Sequence, residues 1–147
     1  MREVNKIILH CTAGPQDQKT VDIKAYWAHK LGWKSYGYHY LIDKYGIVEE
    51  LTPIEKPSNG VKGHNHDSIH ICYKGGSKGL DDRTPEQKAA IIRMIKYLRT
   101  RFPKAKIMGH RDLSPDLNGN GIIEPHEWTK LCPAFDVKQF CKENGIT

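Results

Sequence analysis

Two histidines and a cysteine are the residues of this 147-residue chain best suited to chemistry. His10 closes the apolar run "VNKIIL" and His110 follows "AKIMG", so each stands just beyond a stretch that reads as a short buried strand. Cys132 lies in the polar segment "TKLCPAFD", where packing gives no reason for a thiol. Two imidazoles and a thiolate form a three-donor set for Zn²⁺ that leaves a fourth position for water. Neighbouring strands would bring His10 and His110 to one rim of a sheet, where sites in α/β folds tend to form. A rival trio is His64, His66 and His70. His64 and His66 would share a face if extended, but Gly63 and Asn65 make the segment loop-like. No carboxylate or thiolate is clearly placed to complete its shell, so the trio reads as polar groups lining a cleft or the surface.

The 21 residues between His110 and Cys132 contain a second pattern. "DLNGNGIIEPHE" matches the calcium-loop spelling D-x-[DN]-x-[DN]-G-x5-E. Asp116, Asn118 and Asn120 would offer side-chain oxygens, Ile122 its carbonyl and Glu127 both carboxylate oxygens, with Gly121 at the sharp turn. Ser114-Pro115 breaks any helix ahead of the loop, and no second loop pairs with it. The competing reading is an Asn-Gly turn followed by a short helix from Pro125. If Ca²⁺ binds at residues 114–128, its expected role is structural: it would order the insertion and so fix Lys130 and Cys132.

These residues need a scaffold, and the pattern supplies one. Val4–Leu9, the pair "YGYHYLID" and "IVEEL" joined by "DKYG", Ser68–Tyr73 and Ala105–Gly109 read as strands. Thr20 is placed to cap a helix carrying Ile23, Trp27 and Leu31 inward, stopped by Gly32. Thr84, Pro85 and Gln87 form a capping box ahead of the stripe Ile91, Ile95, Leu98 and Phe102, ended by Pro103. Asp136 caps a last helix that turns Val137, Phe140 and Cys141 inward. The order predicts a single α/β domain over residues 1–147, a mixed sheet flanked by helices.

Composition narrows the function classes. The net charge is +6, but the basic residues are scattered and no nucleic-acid motif is present, so nucleic acid is not an expected partner. No apolar run approaches the roughly 20 residues of a membrane span, and "MREVNKIILH" lacks the apolar core of a signal peptide. The expectation is a monomer made in the cytoplasm. Cys11 and Cys72 lie in apolar runs and read as buried thiols.

In order, "IILHCTA", "YGYHYLID", "GHNHDSIHICYKGG", "GHRD" and "KLCPAFDVKQF" resemble the zinc-dependent N-acetylmuramoyl-L-alanine amidases, most closely the short phage endolysins related to peptidoglycan recognition proteins. The resemblance runs from about Val4 to Phe140. It implies the amidase fold, with peptidoglycan as substrate and action on the bacterial wall, reached by release or export. His10, His110 and Cys132 become zinc ligands, and Tyr38 and Lys130 the catalytic pair. Other branches carry a glutamate where this chain has Cys72, and the phage-type members lack that acid too, so the proton acceptor stays open. The alternative within the same fold is a non-catalytic peptidoglycan-binding module. Substrate-binding residues are not readable from the sequence.

Overall fold

The apolar run of residues 7–9 and the β-branched run of residues 68–73 meet at the centre of a five-stranded sheet. In the computed structural model, which describes residues 2–147, the strands are β1 (Lys6–Cys11), β2 (Tyr40–Ile42), β3 (Val48–Glu50), β4 (Ser68–Tyr73) and β5 (Lys106–Gly109). Their order is β3-β2-β4-β1-β5. All pairs are parallel except the β2–β3 hairpin. Its turn is built by Asp43, whose carboxylate accepts the N–H groups of Tyr45 (2.9 Å) and Ile47 (3.0 Å), with Gly46 at φ +80°. The mixed α/β sheet expected from the element order is the one observed.

The period-2 alternation of the strands gives the sheet two different faces. Ile7, Leu9, Tyr40, Ile42, Ile69, Ile71 and Tyr73 point to a dry face, covered by α2 (Pro85–Arg101) and α3 (Val137–Glu143). Both helices start as anticipated. The Thr84 hydroxyl accepts the Gln87 N–H at 3.0 Å while the Gln87 side chain accepts the Thr84 N–H at 2.9 Å, and Asp136 accepts the Gln139 N–H at 3.0 Å. Ile91, Ile95 and Leu98 are fully buried. Truncating any one of them to alanine would cost roughly 2–5 kcal/mol.

The opposite face holds the intervening residues Ile8, His10, Leu41, His70 and Cys72. All five are buried, Leu41 and Cys72 beneath Ile23 and Trp27. Ile23 lies on α1 (Thr20–Ala25), and Trp27 on the turn that continues it. Both of those segments differ from the sequence expectation. Lys19, not Thr20, is the N-cap residue, and the Thr20 hydroxyl donates instead to Glu49 at 2.6 Å. The α-helix gives way at Tyr26–Lys30 to a π turn that ends at Gly32 (φ +66°). The wider turn breaks the every-fourth-residue register, and Leu31 is exposed.

Two further boundaries move. β1 runs on through Cys11, so His10 sits within the strand instead of after it. Tyr36, Tyr38 and Tyr40 do not share one packed face. Only Tyr40 lies in β2; it packs into the dry core, Tyr38 packs beside Trp27, and Tyr36 is exposed. Among the described residues no helix is long and apolar enough to cross a membrane.

Candidate metal centre

Parallel pairing of β1 with β5 sets Leu9 opposite Gly109, so the following residue on each chain is a histidine. The rings of His10 and His110 meet with centroids 5.0 Å apart. Cys132 reaches them from an irregular segment that closes over the end of β5. The Arg111 N–H donates to the Cys132 carbonyl at 2.9 Å, and the Tyr73 hydroxyl donates to the Pro133 carbonyl at 2.7 Å. Gly109 has to be bare for this approach, because a Cβ there would lie 2.8 Å from Pro133. The Cys11 N–H, at 3.2 Å, points at the Cys132 sulfur.

One donor atom from each of His10, His110 and Cys132 lies within 4.8 Å of the others. His10 Nδ1 and Cys132 Sγ are 3.8 Å apart. A tetrahedral zinc, with bonds near 2.0 Å to nitrogen and 2.3 Å to sulfur, separates such atoms by about 3.6 Å. The donor set and its spacing therefore fit the metal. The imidazoles are also in the right state for it. Burial pushes His10 well below the ordinary histidine range, and the neighbouring bases His70, His110 and His39 push the same way. Burial, then the charges of Lys130 and His64, lower His110 to about 4. Both are neutral at pH 7, the form in which an imidazole can bind a metal. The Cys132 thiol is held well above its usual range by the adjacent Cys11 thiol and by burial, so metal binding must displace its proton.

Tyr38 stands over this cluster, its ring 5.0 Å from that of His10 and 5.4 Å from that of Trp27. Burial first, and then the nearby thiols, raise its hydroxyl well above the ordinary tyrosine range. Lys130 is exposed, close enough to His110 for its charge to bear on that ring. On the other side of Tyr38 opens a cleft of about 280 Å³ between the loop of residues 12–14 and α1, lined also by Gln18, Tyr26 and Trp27. A larger hollow, about 330 Å³, lies around Arg99 and the C-terminal residues and contains none of these donors.

A centre of two imidazoles and a thiolate at a sheet rim could belong to several hydrolases, and comparison with known proteins decides among them. Residues 1–134 match the family described as N-acetylmuramoyl-L-alanine amidase. The chain belongs to that family. The endolysin of Enterobacteria phage K11 is 31% identical over 151 residues, covering 99% of this chain and 90% of that one. A Haemophilus influenzae protein described as uncharacterized is 49% identical over 81 residues, 52% of this chain and 70% of its own length. The solved endolysin of Thermus scotoductus bacteriophage Ph2119 superposes with a TM-score of 0.76 at 25% identity, covering 100% of this chain and 88% of that one. Drosophila PGRP-LB shares the fold, with a TM-score of 0.76 at 16% identity over 100% of this chain and 85% of its own.

The rival histidine trio of the sequence does not assemble in this amidase-family chain. His66 is exposed, His64 is half-buried in a loop, and His70 is fully buried within β4. Cys72 is fully buried beside Tyr38, and burial raises its thiol well above the ordinary range.

The segment of residues 114–128 folds on its own backbone. Asp116 accepts the N–H groups of Gly119 (3.1 Å) and Gly121 (2.7 Å), Asn118 accepts from Asn120 (3.2 Å), and Asn120 from Ile122 (2.9 Å). The buried Glu127 carboxylate accepts from Leu117, Asn118 and Glu124. Pro125–Glu127 form a single short 3₁₀ turn. Ile122 is exposed.

Sequence reading passed over the buried His39, and it placed His70 in a cleft or on the surface, whereas His70 is fully buried with the half-buried Asn65 hydrogen-bonded to its ring. A signal for His70 was present: in "SIHICY" it falls two residues before Cys72, hence on the same face of β4 as Cys72.

Proposed function

We propose that this chain is a zinc-dependent hydrolase of the amide joining N-acetylmuramic acid to L-alanine in bacterial peptidoglycan, acting on the wall as a phage or prophage endolysin. The observation that carries the reading is the cluster itself: His10 Nδ1 lies 3.8 Å from Cys132 Sγ with His110 alongside, and Tyr38 stands between the cluster and a cleft. His10, His110 and Cys132 would hold the metal. Bound there, zinc supplies Lewis acidity and lowers the pKa of a water from about 15.7 towards 7.

The chain's own groups do the rest. Lys130 places a positive charge beside His110, where a scissile carbonyl oxygen would gain negative charge, and such a donor is typically worth about 100- to 1000-fold in rate. Tyr38 keeps its proton at any working pH, so it serves as a hydrogen-bond donor and not as a base. The cleft beyond Tyr38 takes the peptide stem. It offers the apolar faces of Tyr26 and Trp27, and Gln18 Oε1 is buried without a protein partner, which suits a peptide N–H.

The test is release of new alanine N-termini from purified peptidoglycan. Release should stop with a chelator and return with zinc. Retention on peptidoglycan without any release of amines would instead support the binding-module reading. Calcium binding by Asp116, Asn118, Asn120, Ile122 and Glu127 is a separate proposal. It rests on their spacing alone.

A further inference from the structure

The strongest unassigned feature of the molecule is a line of hydrogen bonds running inward from the metal centre. His10 Nε2 is 2.8 Å from His70 Nδ1, and His70 Nε2 is 2.8 Å from Asn65 Oδ1. Asn65 Oδ1 also receives the backbone N–H of Val61, at 2.8 Å. That last contact gives the line a direction. A backbone N–H can only donate, so the atom facing it is the amide oxygen of Asn65. The oxygen must then accept from His70, which places the His70 proton on Nε2. A neutral His70 leaves Nδ1 as an acceptor, so the proton between the two rings belongs to His10 Nε2. His10 is left with a bare Nδ1, the atom that faces Cys132.

The ring of His70 is held in place for this task. It is fully buried, and it stacks on His39 with centroids 5.8 Å apart and planes inclined by 14°. His39 is oriented in turn: its Nδ1 accepts the His70 backbone N–H at 3.0 Å, so its Nε2 carries the proton given to the Lys56 carbonyl at 2.7 Å. Gly60 closes the other side. A Cβ there would lie 2.2 Å from His70 Nδ1, so the bare glycine and the imidazole occupy space that no larger pair could share.

We propose that Asn65 and His70 form a directional relay that commits His10 to its Nε2–H tautomer and thereby presents the Nδ1 lone pair to the metal position. His70 is a positioning residue acting through His10. Ligating histidines usually give their second N–H to a carboxylate, a carbonyl or water; here the acceptor is a second imidazole. The inference rests on the zinc reading for its purpose, but the tautomer itself is a property of the metal-free protein.

The experiment is long-range ¹H–¹⁵N correlation of the histidine rings in metal-free protein, together with zinc affinity by competition with a chromogenic chelator. Wild-type His10 is expected as the Nε2–H form. In His70→Leu, which offers no acceptor, His10 should become a mixture of tautomers and zinc binding should weaken by about 10- to 100-fold. His70→Gln, whose amide oxygen can accept, should restore much of both. Asn65→Ala removes the outer anchor at a half-buried position and decides the matter if His70→Leu does not fold. A Nδ1–H His10 in the wild type would overturn the relay. So would wild-type tautomer and zinc affinity in every folded variant. If wild-type protein takes up no zinc at all, the zinc reading fails by itself, and the tautomer measurement still judges the relay.

Discussion

Leu9 of β1 pairs with Gly109 of β5, and this register is why His10 and His110 face each other across the sheet rim. Cys132 joins them from outside the sheet, half-buried, so it can be removed with little effect on the paired histidines. Cys132→Ala should abolish amine release and lower zinc uptake to near zero, while the circular dichroism of the metal-free protein stays unchanged. Zinc at about a hundredfold excess over its dissociation constant should stabilise the wild type by about 2.7 kcal/mol and leave the variant unaffected. Equilibrium dialysis and thermal melts measure both. Full activity in Cys132→Ala would mean that the donor assignment is wrong.

Lys130 is exposed, so its replacement should change folding stability by no more than about 0.5 kcal/mol. Its proposed role lies in the charge that develops during reaction. Lys130→Met is therefore expected to lower kcat by about 100- to 1000-fold with zinc content intact. Wild-type turnover in this variant would return Lys130 to the solvated surface.

Cys72 stands where a glutamate could act as a base, but it cannot take that role as a thiol. Burial holds it protonated at neutral pH, and a thiol that already carries its proton is not a base. Cys72→Ala should retain activity within a few-fold while losing roughly 1–2 kcal/mol of stability to the small cavity. A loss of hydrolysis beyond about 100-fold in a folded Cys72→Ala protein would show that the thiol takes part.

How legible these features were in the sequence depended on their range. α2 and α3 were readable because capping is local: Thr84 with Gln87, and Asp136 with Gln139, act across three residues. The pairing of His10 with His110 needed only the two strand ends and the rule that sites gather at a sheet rim. The π turn at Tyr26–Lys30 was hidden, since apolar spacing tells one kind of helical turn from another poorly. The surroundings of His70 were equally hidden. They depend on the approach of Gly60, Asn65 and His39 from separate segments, and each of these looks ordinary in its own stretch of chain.

The buried histidines make the metal-free fold sensitive to acid. His39 is fully buried, and burial is the main reason its pKa falls to about 4. Because the folded value lies below the unfolded 6.5, the unfolded chain takes up a proton that the folded chain refuses. Stability is then full above pH 6.5 and declines as the pH drops towards 4. The loss for this one group is of the order of 3 kcal/mol. Urea unfolding of chelator-treated protein at about pH 7.5 and about pH 4.5 should show the decline, and His39→Gln should flatten it by up to one proton. A pH-independent midpoint across this range would contradict the burial argument.

Calcium binding at residues 114–128 can be tested apart from zinc binding. Asp116 and Glu127 are the only formally charged groups in the spelled ligand set, which points to a weak site, with dissociation constants of about 0.1–1 mM. Titration calorimetry on zinc-loaded protein should detect calcium in that range, and Glu127→Gln should remove the signal. No heat at several-fold higher calcium, about 5 mM, would end the calcium proposal. Zinc affinity should not follow calcium in either case. The base of the insertion is closed by protein contacts: Ser114 Oγ accepts the Thr129 N–H at 3.1 Å, and the Arg111 guanidinium lies 3.8 Å from the centre of the Trp128 ring. Those contacts already hold the chain just ahead of Lys130 and Cys132. Adding calcium, or introducing Glu127→Gln, should leave the zinc dissociation constant within a few-fold. A coupling of tenfold or more, about 1.4 kcal/mol, would show that order in the loop is transmitted to Cys132 after all.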